Sequence, residues 1–207
     1  MSTNTTSVWR KKLKELEIVV VIPTYNNGKT LAAVIEEVCR YADDIIVVND
    51  GSTDDTANIL EQYPAIRTIT HPVNKGKGTA LKHGLSQAKK EGFRYAITID
   101  SDGQHFASDI PCFIEAIEKE PDTLLVGARN LASDNMPGKN TFANKFSNFW
   151  FRLETGLKLE DTQSGYRLYP LRKMNVQSCW YTAKYEFELE AIVFAAWGDV
   201  VVKNIPI

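Results

Sequence analysis

The chain has 207 residues, of which 43% are hydrophobic and 24% are charged, and its formal net charge is −2. This balance is that of an ordinary folded protein, and it excludes the broad basic surface on which general nucleic-acid binding depends. The three cysteines are odd in number and lack metal-ligand spacing, so we expect reduced thiols. The longest apolar runs are too short to cross a bilayer, so we expect a cytoplasmic protein with at most peripheral contact at the cytoplasmic membrane face.

Strands and helices are predicted in alternation along most of the chain. A charged, helix-like leader over residues 1–17 precedes a β-branched strand at 18–22, which is expected to stop at Pro23. Further predicted strands are 45–48, 66–70, 95–99, 124–126, a stretch before Tyr169, and 200–202. Predicted helices are 29–41, 79–90, an aromatic stripe over 142–157, and stretches around Ile59, Ile114 and Ile192. Residues 131–140 are predicted to form a mobile loop.

This alternation predicts right-handed βαβ units and a mostly parallel sheet with helices on both faces. Ligands of such sheets bind beyond the carboxyl ends of the strands. Four polar turns follow predicted strands at such ends: 24–28, 49–52, 74–78 and 100–104. The sequence therefore predicts an α/β domain over residues 18–207 with one ligand site at this edge of the sheet.

An acidic turn follows the predicted strand at 95–99. Side chains two apart on an extended backbone point to the same side, so Asp100, Asp102 and Gln104 are expected to converge. Two adjacent carboxylates repel each other unless a cation lies between them, and oxygen ligands suit Mg2+ or Mn2+. The alternative is a solvated acidic turn that bends at Gly103.

Five motifs occur in a fixed order along the chain. They are Pro23 to Asn26, Val48 to Ser52, Asn74 to Gly78, Asp100 to Gln104, and Asp161 to Arg167. Together they resemble the inverting family-two glycosyltransferases of the A-type fold, especially the branch of dolichol-phosphate mannose synthase and other polyprenyl-phosphate glycosyltransferases. The resemblance implies a three-layer nucleotide-diphospho-sugar transferase fold, with a donor-binding half at about 18–105 and an acceptor-side half at about 106–207.

The resemblance also implies an activity, in which a sugar moves from a UDP- or GDP-sugar to a polyprenyl phosphate or another lipid or glycan acceptor. Such a reaction would serve cell-envelope glycan synthesis, with a divalent cation, Mg2+ or Mn2+, assisting departure of the nucleoside diphosphate. The implied nucleotide-sugar contacts are Pro23, Thr24, Tyr25, Asn27, Asp50, Gly51, Lys75, Lys77, Asp100 and Ser101. The implied metal ligands are Asp100, Asp102 and Gln104. The implied catalytic residues are Asp102, Arg129 and Asp161, and the implied acceptor-side residues are Gln163, Gly165 and Arg167.

The role of Asp161 depends on the acceptor. A hydroxyl acceptor requires a carboxylate to take its proton, and Asp161 is the candidate base. A polyprenyl phosphate is already anionic, so Asp161 would then position other groups or ligate the cation. His105, next to the acidic turn, is a candidate contact for the cation or the product phosphate. Glu186 and Glu188 either face the acceptor or lie exposed in the first turn of a helix, and His71 and His83 are expected to be structural.

Three other functions fit parts of the pattern. A non-catalytic subunit or sensor would bind nucleotide sugars without turnover. A sugar nucleotidylyltransferase usually needs a glycine-rich, arginine-containing loop after the first strand, which residues 23–28 lack. An NAD-dependent dehydrogenase needs Gly-x-Gly-x-x-Gly at that turn, which is also missing.

Overall fold

Strands and helices alternate along the residues that the computed structural model describes, which are 3–128, 151–156, 158–159, 161–174 and 186–207. The strands are β1 (Ile18–Thr24), β2 (Ile45–Asn49), β3 (Arg67–Thr70), β4 (Tyr95–Thr98), β5 (Leu124–Ala128), β6 (Arg167–Pro170) and β7 (Val202–Pro206). The helices are α1 (Thr3–Glu15), α2 (Leu31–Val38), α3 (Thr56–Glu61), α4 (Lys77–Lys90), α5 (Ile110–Lys119) and α6 (Glu186–Trp197). Residues 151–155 are also helical.

The strands form one seven-stranded sheet in the order β3-β2-β1-β4-β6-β5-β7 within the described residues. Strand β1 pairs in parallel with β2 and β4, and β5 pairs in parallel with β7. Strand β6 is antiparallel to both of its neighbours, β4 and β5. The predicted mostly parallel sheet is confirmed, and the polar ends of β1, β2 and β4 lie side by side.

Helices cover both faces of this sheet. Alternate residues of β1 point to opposite faces, because side chains in a strand alternate. Ile18, Val20 and Ile22 pack in one core with α1, α2 and α5, whereas Val19 and Val21 pack in a second core with α4 and α6. All five side chains are at most 1% exposed. The predicted three-layer α/β architecture is therefore confirmed.

Several predicted element boundaries are wrong. Strand β1 continues through Pro23, which pairs with Val48 of β2, while the pairing of β1 with β4 ends at Val21. Because β1 has no β4 partner at Pro23, the missing N–H of proline costs no ladder bond on that side. Helix α2 is shorter than predicted, and α4 begins at Lys77 directly after Gly76, whose φ is +93°.

The last strand is also displaced from its prediction. It covers Val202–Pro206 instead of 200–202, since its pairing with β5 begins where Val202 meets Leu124. Val201 is 52% exposed and lies before the ladder.

Other predictions fall partly outside the described residues. These include the loop at 131–140, most of the aromatic helix at 142–157, and Arg129. The leader is helical as predicted, and Leu13 of α1 is buried in the core. The division into donor and acceptor halves stays a prediction.

In the described part of the chain, no helix combines the length and the apolar character needed to cross a bilayer.

Candidate functional site

A cavity of about 620 Å³ opens at the carboxyl ends of β1, β2 and β4, where the sequence predicts a ligand site. Its walls come from the turns after these strands and from the first turns of α4. The lining residues are Pro23, Thr24, Tyr25, Asn27, Asp50, Asn74, Gly76, Lys77, Ala80, Asp100, Ser101 and Asp102. Nine of these were expected as nucleotide-sugar contacts or metal ligands from the resemblance. The cavity thus brings together residues that lie up to 79 positions apart, from Pro23 to Asp102.

Asp50, at the end of β2, organises the loop that leads into α4. Its Oδ1 accepts a hydrogen bond from the backbone N–H of Lys75 (2.9 Å) and lies 2.6 Å from Nδ1 of His71. Its Oδ2 accepts a hydrogen bond from the backbone N–H of Gly76 (2.7 Å). The Asp50 side chain is almost fully buried, so these contacts compensate for the desolvation of its carboxylate.

Gly51 packs against the same loop. Its φ is +70°, and a Cβ there would lie 2.4 Å from the carbonyl carbon of Val73. Only glycine fits this conformation and this contact. Gly51 therefore allows the loop to pack closely against it, and it is not among the residues that line the cavity. The exposed Lys75 is also not among the lining residues. Its observed contact with the site is the hydrogen bond from its backbone N–H to Asp50.

Lys77, at the start of α4, joins two carboxylates from distant parts of the chain. Its Nζ lies 2.8 Å from Oδ1 and 2.9 Å from Oδ2 of Asp100, and 3.1 Å from Oε1 of Glu188 on α6. Burial lowers the pKa of Lys77, but the carboxylates of Glu188 and Asp100 outweigh it and raise the pKa above its ordinary value. The ammonium is therefore charged at every physiological pH and is held by Asp100 and Glu188.

Gly165, which was expected on the acceptor side, fits against this ion-pair cluster. A Cβ at position 165 would lie 2.7 Å from Oδ2 of Asp100, 2.8 Å from Oε1 of Glu188 and 2.9 Å from Nζ of Lys77. The carbonyl oxygen of Gly165 accepts a hydrogen bond from the hydroxyl of Thr98 (2.7 Å) at the end of β4. The close approach of all three charged groups requires a residue without a side chain here.

The acidic turn after β4 differs from its prediction. The strand ends at Thr98, and residues 101–103 form a turn in which Gly103 has a φ of +80°. Oδ1 of Asp102 accepts a hydrogen bond from the backbone N–H of Gln104 (2.9 Å). The predicted polar turn at 100–104, with its bend at Gly103, is therefore confirmed, but the extended geometry from which the convergence of three side chains was expected does not describe it. Asp100 and Asp102 both line the cavity, but Gln104 is exposed and is not a lining residue.

Two contacts hold this turn against the loop after β1. The amide of Asn27 donates a hydrogen bond to the hydroxyl of Ser101 (2.7 Å), and the hydroxyl of Thr30 donates one to the carbonyl of Ser101 (2.6 Å). Ser101 is buried, at 2% exposure. Asn27 and Ser101 therefore fix the position from which Asp100 and Asp102 reach the cavity.

Asp161 is fully buried and is not among the lining residues. Its Oδ1 accepts hydrogen bonds from the backbone N–H groups of Gln163 (2.9 Å) and Ser164 (3.2 Å), as in a turn that an aspartate closes onto its own backbone. Gln163 is exposed on the outside of this turn. This arrangement suits the positioning role that the sequence leaves open for Asp161.

Arg167 stabilises the same turn from inside the protein. Its guanidinium is fully buried and donates hydrogen bonds to the carbonyl oxygens of Thr162 (2.9 Å), Ser164 (2.7 Å) and Glu188. The last contact connects the turn to the first turn of α6. Arg167 can therefore shape the acceptor side only through the backbone that it holds.

The structure decides one alternative near the cluster. Glu188 is buried, at 7% exposure, so the exposed first-turn interpretation is wrong for this residue, and the side chain of Glu186 lies outside the described residues. His105 is buried, with Nδ1 3.9 Å from Oδ2 of Asp100.

Sequence reasoning did not single out Ala80 as a lining residue, since nothing in its spacing separates it from the core positions of α4.

The comparisons with known proteins agree with this geometry. A family profile described as glycosyl transferase family 2 matches residues 19–178. One relative, the UDP-N-acetylglucosamine–dolichyl-phosphate N-acetylglucosaminyltransferase of Methanococcus voltae, is 31% identical over 92% of this chain and 84% of its own length. A second, the polyprenol monophosphomannose synthase of Mycolicibacterium smegmatis, is 28% identical over 72% of this chain and 60% of its own length.

A solved structure supports the fold. The glucosyl-3-phosphoglycerate synthase of Mycobacterium tuberculosis, in complex with Mn2+, UDP and glucosyl-3-phosphoglycerate, superimposes with a TM-score of 0.73 at 20% identity. The match covers 98% of this chain and 74% of that one. The family profile covers most of the chain, including the motifs that build the cavity. The protein therefore belongs to glycosyltransferase family 2 and is a glycosyltransferase.

Proposed function

We propose that this glycosyltransferase moves a sugar from a nucleotide-diphosphate sugar to a polyprenyl phosphate, with inversion at the anomeric carbon. The observation that carries the proposal is which carboxylates at the cavity are already bound by other groups of the protein. Asp50 is held by backbone N–H groups and His71, whereas Asp100 and Glu188 are paired with Lys77. Among the described carboxylates at this site, only Asp102 combines exposure with a place in the lining.

The donor is proposed to lie in the 620 Å³ cavity. Its position at the carboxyl ends of β1, β2 and β4 supports this, because nucleotides bind at that edge of such sheets. The hydroxyl of Thr24 is buried at the cavity and has no hydrogen-bond partner among the described residues, so it can bond to a ligand there. Tyr25 is 43% exposed at the rim and offers an aromatic surface to a nucleotide base.

A divalent cation fits Asp100 and Asp102. Within the described ranges, no group of three or more histidine, cysteine or acidic side chains is placed to hold a metal, so these residues alone form no complete cage. Mg2+ and Mn2+ are often held by one or two carboxylates together with substrate phosphates, and two carboxylates in one cavity lining meet that need. When bound, such a cation stabilises the negative charge that develops on the leaving diphosphate.

The residues of this chain would contribute orientation and charge. Asp102 would hold the cation from its exposed position, and Asp100 would be kept in place by Lys77. The ammonium of Lys77 already pairs with Asp100 and Glu188. This pairing supports a role for Lys77 in holding Asp100 instead of neutralising the phosphates directly. Asn27 and Ser101 would fix the acidic turn, and Asp50 would keep the 74–76 loop in shape.

An anionic acceptor is consistent with these carboxylates, because Asp50, Asp100 and Glu188 are held by other groups and Asp102 is proposed to hold the cation. A hydroxyl acceptor must lose a proton during transfer, but a phosphate oxygen attacks without that step. Two relatives carry names that specify dolichyl phosphate and polyprenol as their acceptors. Asp161 would then support the acceptor side through its turn, and contact with the lipid would be peripheral, at the cytoplasmic face of the membrane.

A transfer assay tests the proposal. Radiolabelled UDP-glucose, UDP-N-acetylglucosamine and GDP-mannose would each be incubated with the full chain, Mn2+ and a short polyprenyl phosphate in detergent. We expect one donor to label the lipid, and we expect EDTA to abolish the reaction. Transfer only to a hydroxyl acceptor would contradict the proposed acceptor. Tight binding of a nucleotide sugar without transfer or hydrolysis would indicate the sensor function instead.

A further inference from the structure

Three side chains form a continuous path from the donor cavity to the surface of α4. Asp50 lines the cavity, and its Oδ1 lies 2.6 Å from Nδ1 of His71. Nε2 of His71 lies 2.7 Å from Nδ1 of His83 on α4. Asp50 and His71 are buried, at 2% and 4% exposure, whereas His83 is exposed. The sequence suggests only structural roles for both histidines, and this path gives them another.

The hydrogen bonds define which ring nitrogens carry protons. Both carboxylate oxygens of Asp50 accept backbone hydrogen bonds, from Lys75 and Gly76, so this group is an acceptor. His71 therefore donates from Nδ1, and when its ring is neutral its Nε2 is an acceptor. His83 must in turn donate from Nδ1 to that nitrogen. In the neutral pair, Nε2 of the exposed His83 is the position that can take up a proton.

We propose that His71 and His83 form a proton relay that positions Asp50 and adjusts the charge of the donor cavity. A proton from solvent binds Nε2 of His83, and the proton on Nδ1 of His83 moves to Nε2 of His71. One N–H bond breaks as another forms, and no electron is transferred. The positive charge then lies on His71, beside the carboxylate of Asp50. The identity of the ligand in this proposal rests on the proposed function.

The charged groups around His83 determine where the relay responds to pH. Burial, the neighbouring His71 and the ammonium of Lys75 lower the pKa of His83, and Asp50 opposes them. The pKa of His83, where the proton enters, therefore lies below the ordinary histidine range of about 6.5. An anionic donor in the cavity that Asp50 lines would favour the protonated pair. By linkage, donor affinity rises as the pH falls through this range.

Imidazole 15N NMR tests the relay without any ligand. The chain has three histidines, so few ring signals need assignment. At pH 8 we expect His71 and His83 both to be protonated at Nδ1, and between pH 8 and pH 5 we expect their shifts to follow one common midpoint. In H83N, whose amide can still donate to Nε2 of His71, the His71 titration should disappear. An Nε2–H tautomer on His71, or titration of His71 that persists in H83N, would overturn the relay.

Binding of UDP-glucose and GDP-mannose tests the link to the cavity, because their diphosphates carry no group that titrates between pH 5 and 8. At fixed, saturating Mg2+, lowering the pH from 8 to 6 should tighten binding about three- to tenfold more in the wild type than in H83N or H71N. Equal pH dependence in all three proteins would overturn the coupling. The pH dependence would then be assigned to other groups, such as His105. If neither sugar binds while the NMR result holds, the proposed function fails and the relay stands.

Discussion

The ammonium of Lys77 lies within 2.9 Å of both carboxylate oxygens of Asp100, so a candidate metal ligand is held from α4 by an ion pair. The same ammonium lies 3.1 Å from Glu188 of α6. This cluster connects the donor cavity to the turn that carries Gly165. It also compensates for two carboxylates that would otherwise repel each other in a partly desolvated site.

Replacing Lys77 with methionine tests the charge of this cluster. Without the ammonium, Asp100 and Glu188 would lie close together without a counter-charge, and we expect a loss of about 3 kcal/mol in the free energy of unfolding. We also expect transfer activity to fall by at least a hundredfold. Urea denaturation and initial rates would measure both effects. K77R keeps the charge and should retain most of the stability, so equal losses in K77M and K77R would contradict an electrostatic role.

Replacing Gly165 with alanine tests the close packing of the cluster. The new Cβ would come within 3 Å of all three charged groups, and displacing them should reduce kcat/KM about a hundredfold. G84A is a matched control, because its Cβ would lie 2.5 Å from Val21 in the core and not at the cluster. We expect G84A to lower stability by about 1–3 kcal/mol with little change in activity per folded molecule. Full activity in G165A would show that the cluster tolerates displacement.

Replacing Arg167 with methionine tests how the turn at residues 161–167, proposed to lie on the acceptor side, is held. Three carbonyl oxygens would lose a buried charged donor, and we expect about 3 kcal/mol less stability. Arg167 is fully buried and acts through the backbone of this turn, which is proposed to lie on the acceptor side. R167M should therefore affect the acceptor KM more than the donor KM. Thermal unfolding and steady-state kinetics with each substrate varied would measure the two effects. A selective rise in the donor KM would argue against this role.

Replacing Asp54 with asparagine tests a contact between the loop after β1 and the start of α3. Asp54 accepts hydrogen bonds from the hydroxyl of Thr56 (2.5 Å) and the backbone N–H of Gly28 (2.8 Å). The Thr56 hydroxyl lowers the pKa of Asp54; burial opposes this, and the backbone of Gly28 adds to it. A lowered pKa contributes stability above the unfolded-state value of about 3.9, and this contribution is lost as the pH falls through the folded-state pKa. Chemical denaturation should therefore show wild type and D54N differing near pH 6, with a difference that shrinks as the pH falls below about 4. A difference that stays constant across this range would contradict the assignment.

The architecture was predictable because it depends on local patterns. β-branched runs such as residues 18–22 and 45–48 mark strands buried on both faces, and the polar turns that follow them mark the ligand edge of the sheet. The cavity lining follows from this, since the ends of adjacent parallel strands meet. Motif resemblance added the chemical roles that spacing alone does not provide.

The contacts across the chain were not predictable in this way. Nothing near Lys77 indicates that Glu188, 111 positions later, will share its ammonium, because that contact depends on how α4 and α6 pack on one face. A polar turn at 100–104 was predicted, but the extended geometry assumed for Asp100, Asp102 and Gln104 was wrong. The hydrogen bond from the N–H of Gln104 to Asp102 competes with strand geometry. The burial of Arg167 depends on three backbone carbonyls that only the folded chain brings together.

A crystal soaked with Mn2+ and UDP or GDP tests the central claim most directly. We predict density for the nucleotide between Tyr25 and Asp50, and an anomalous manganese peak bound by Asp102 and the diphosphate. The same soak of D102N should lose the manganese peak. A nucleotide bound elsewhere, or a wild-type cavity that holds neither manganese nor nucleotide at saturating concentration, would contradict the proposed donor site.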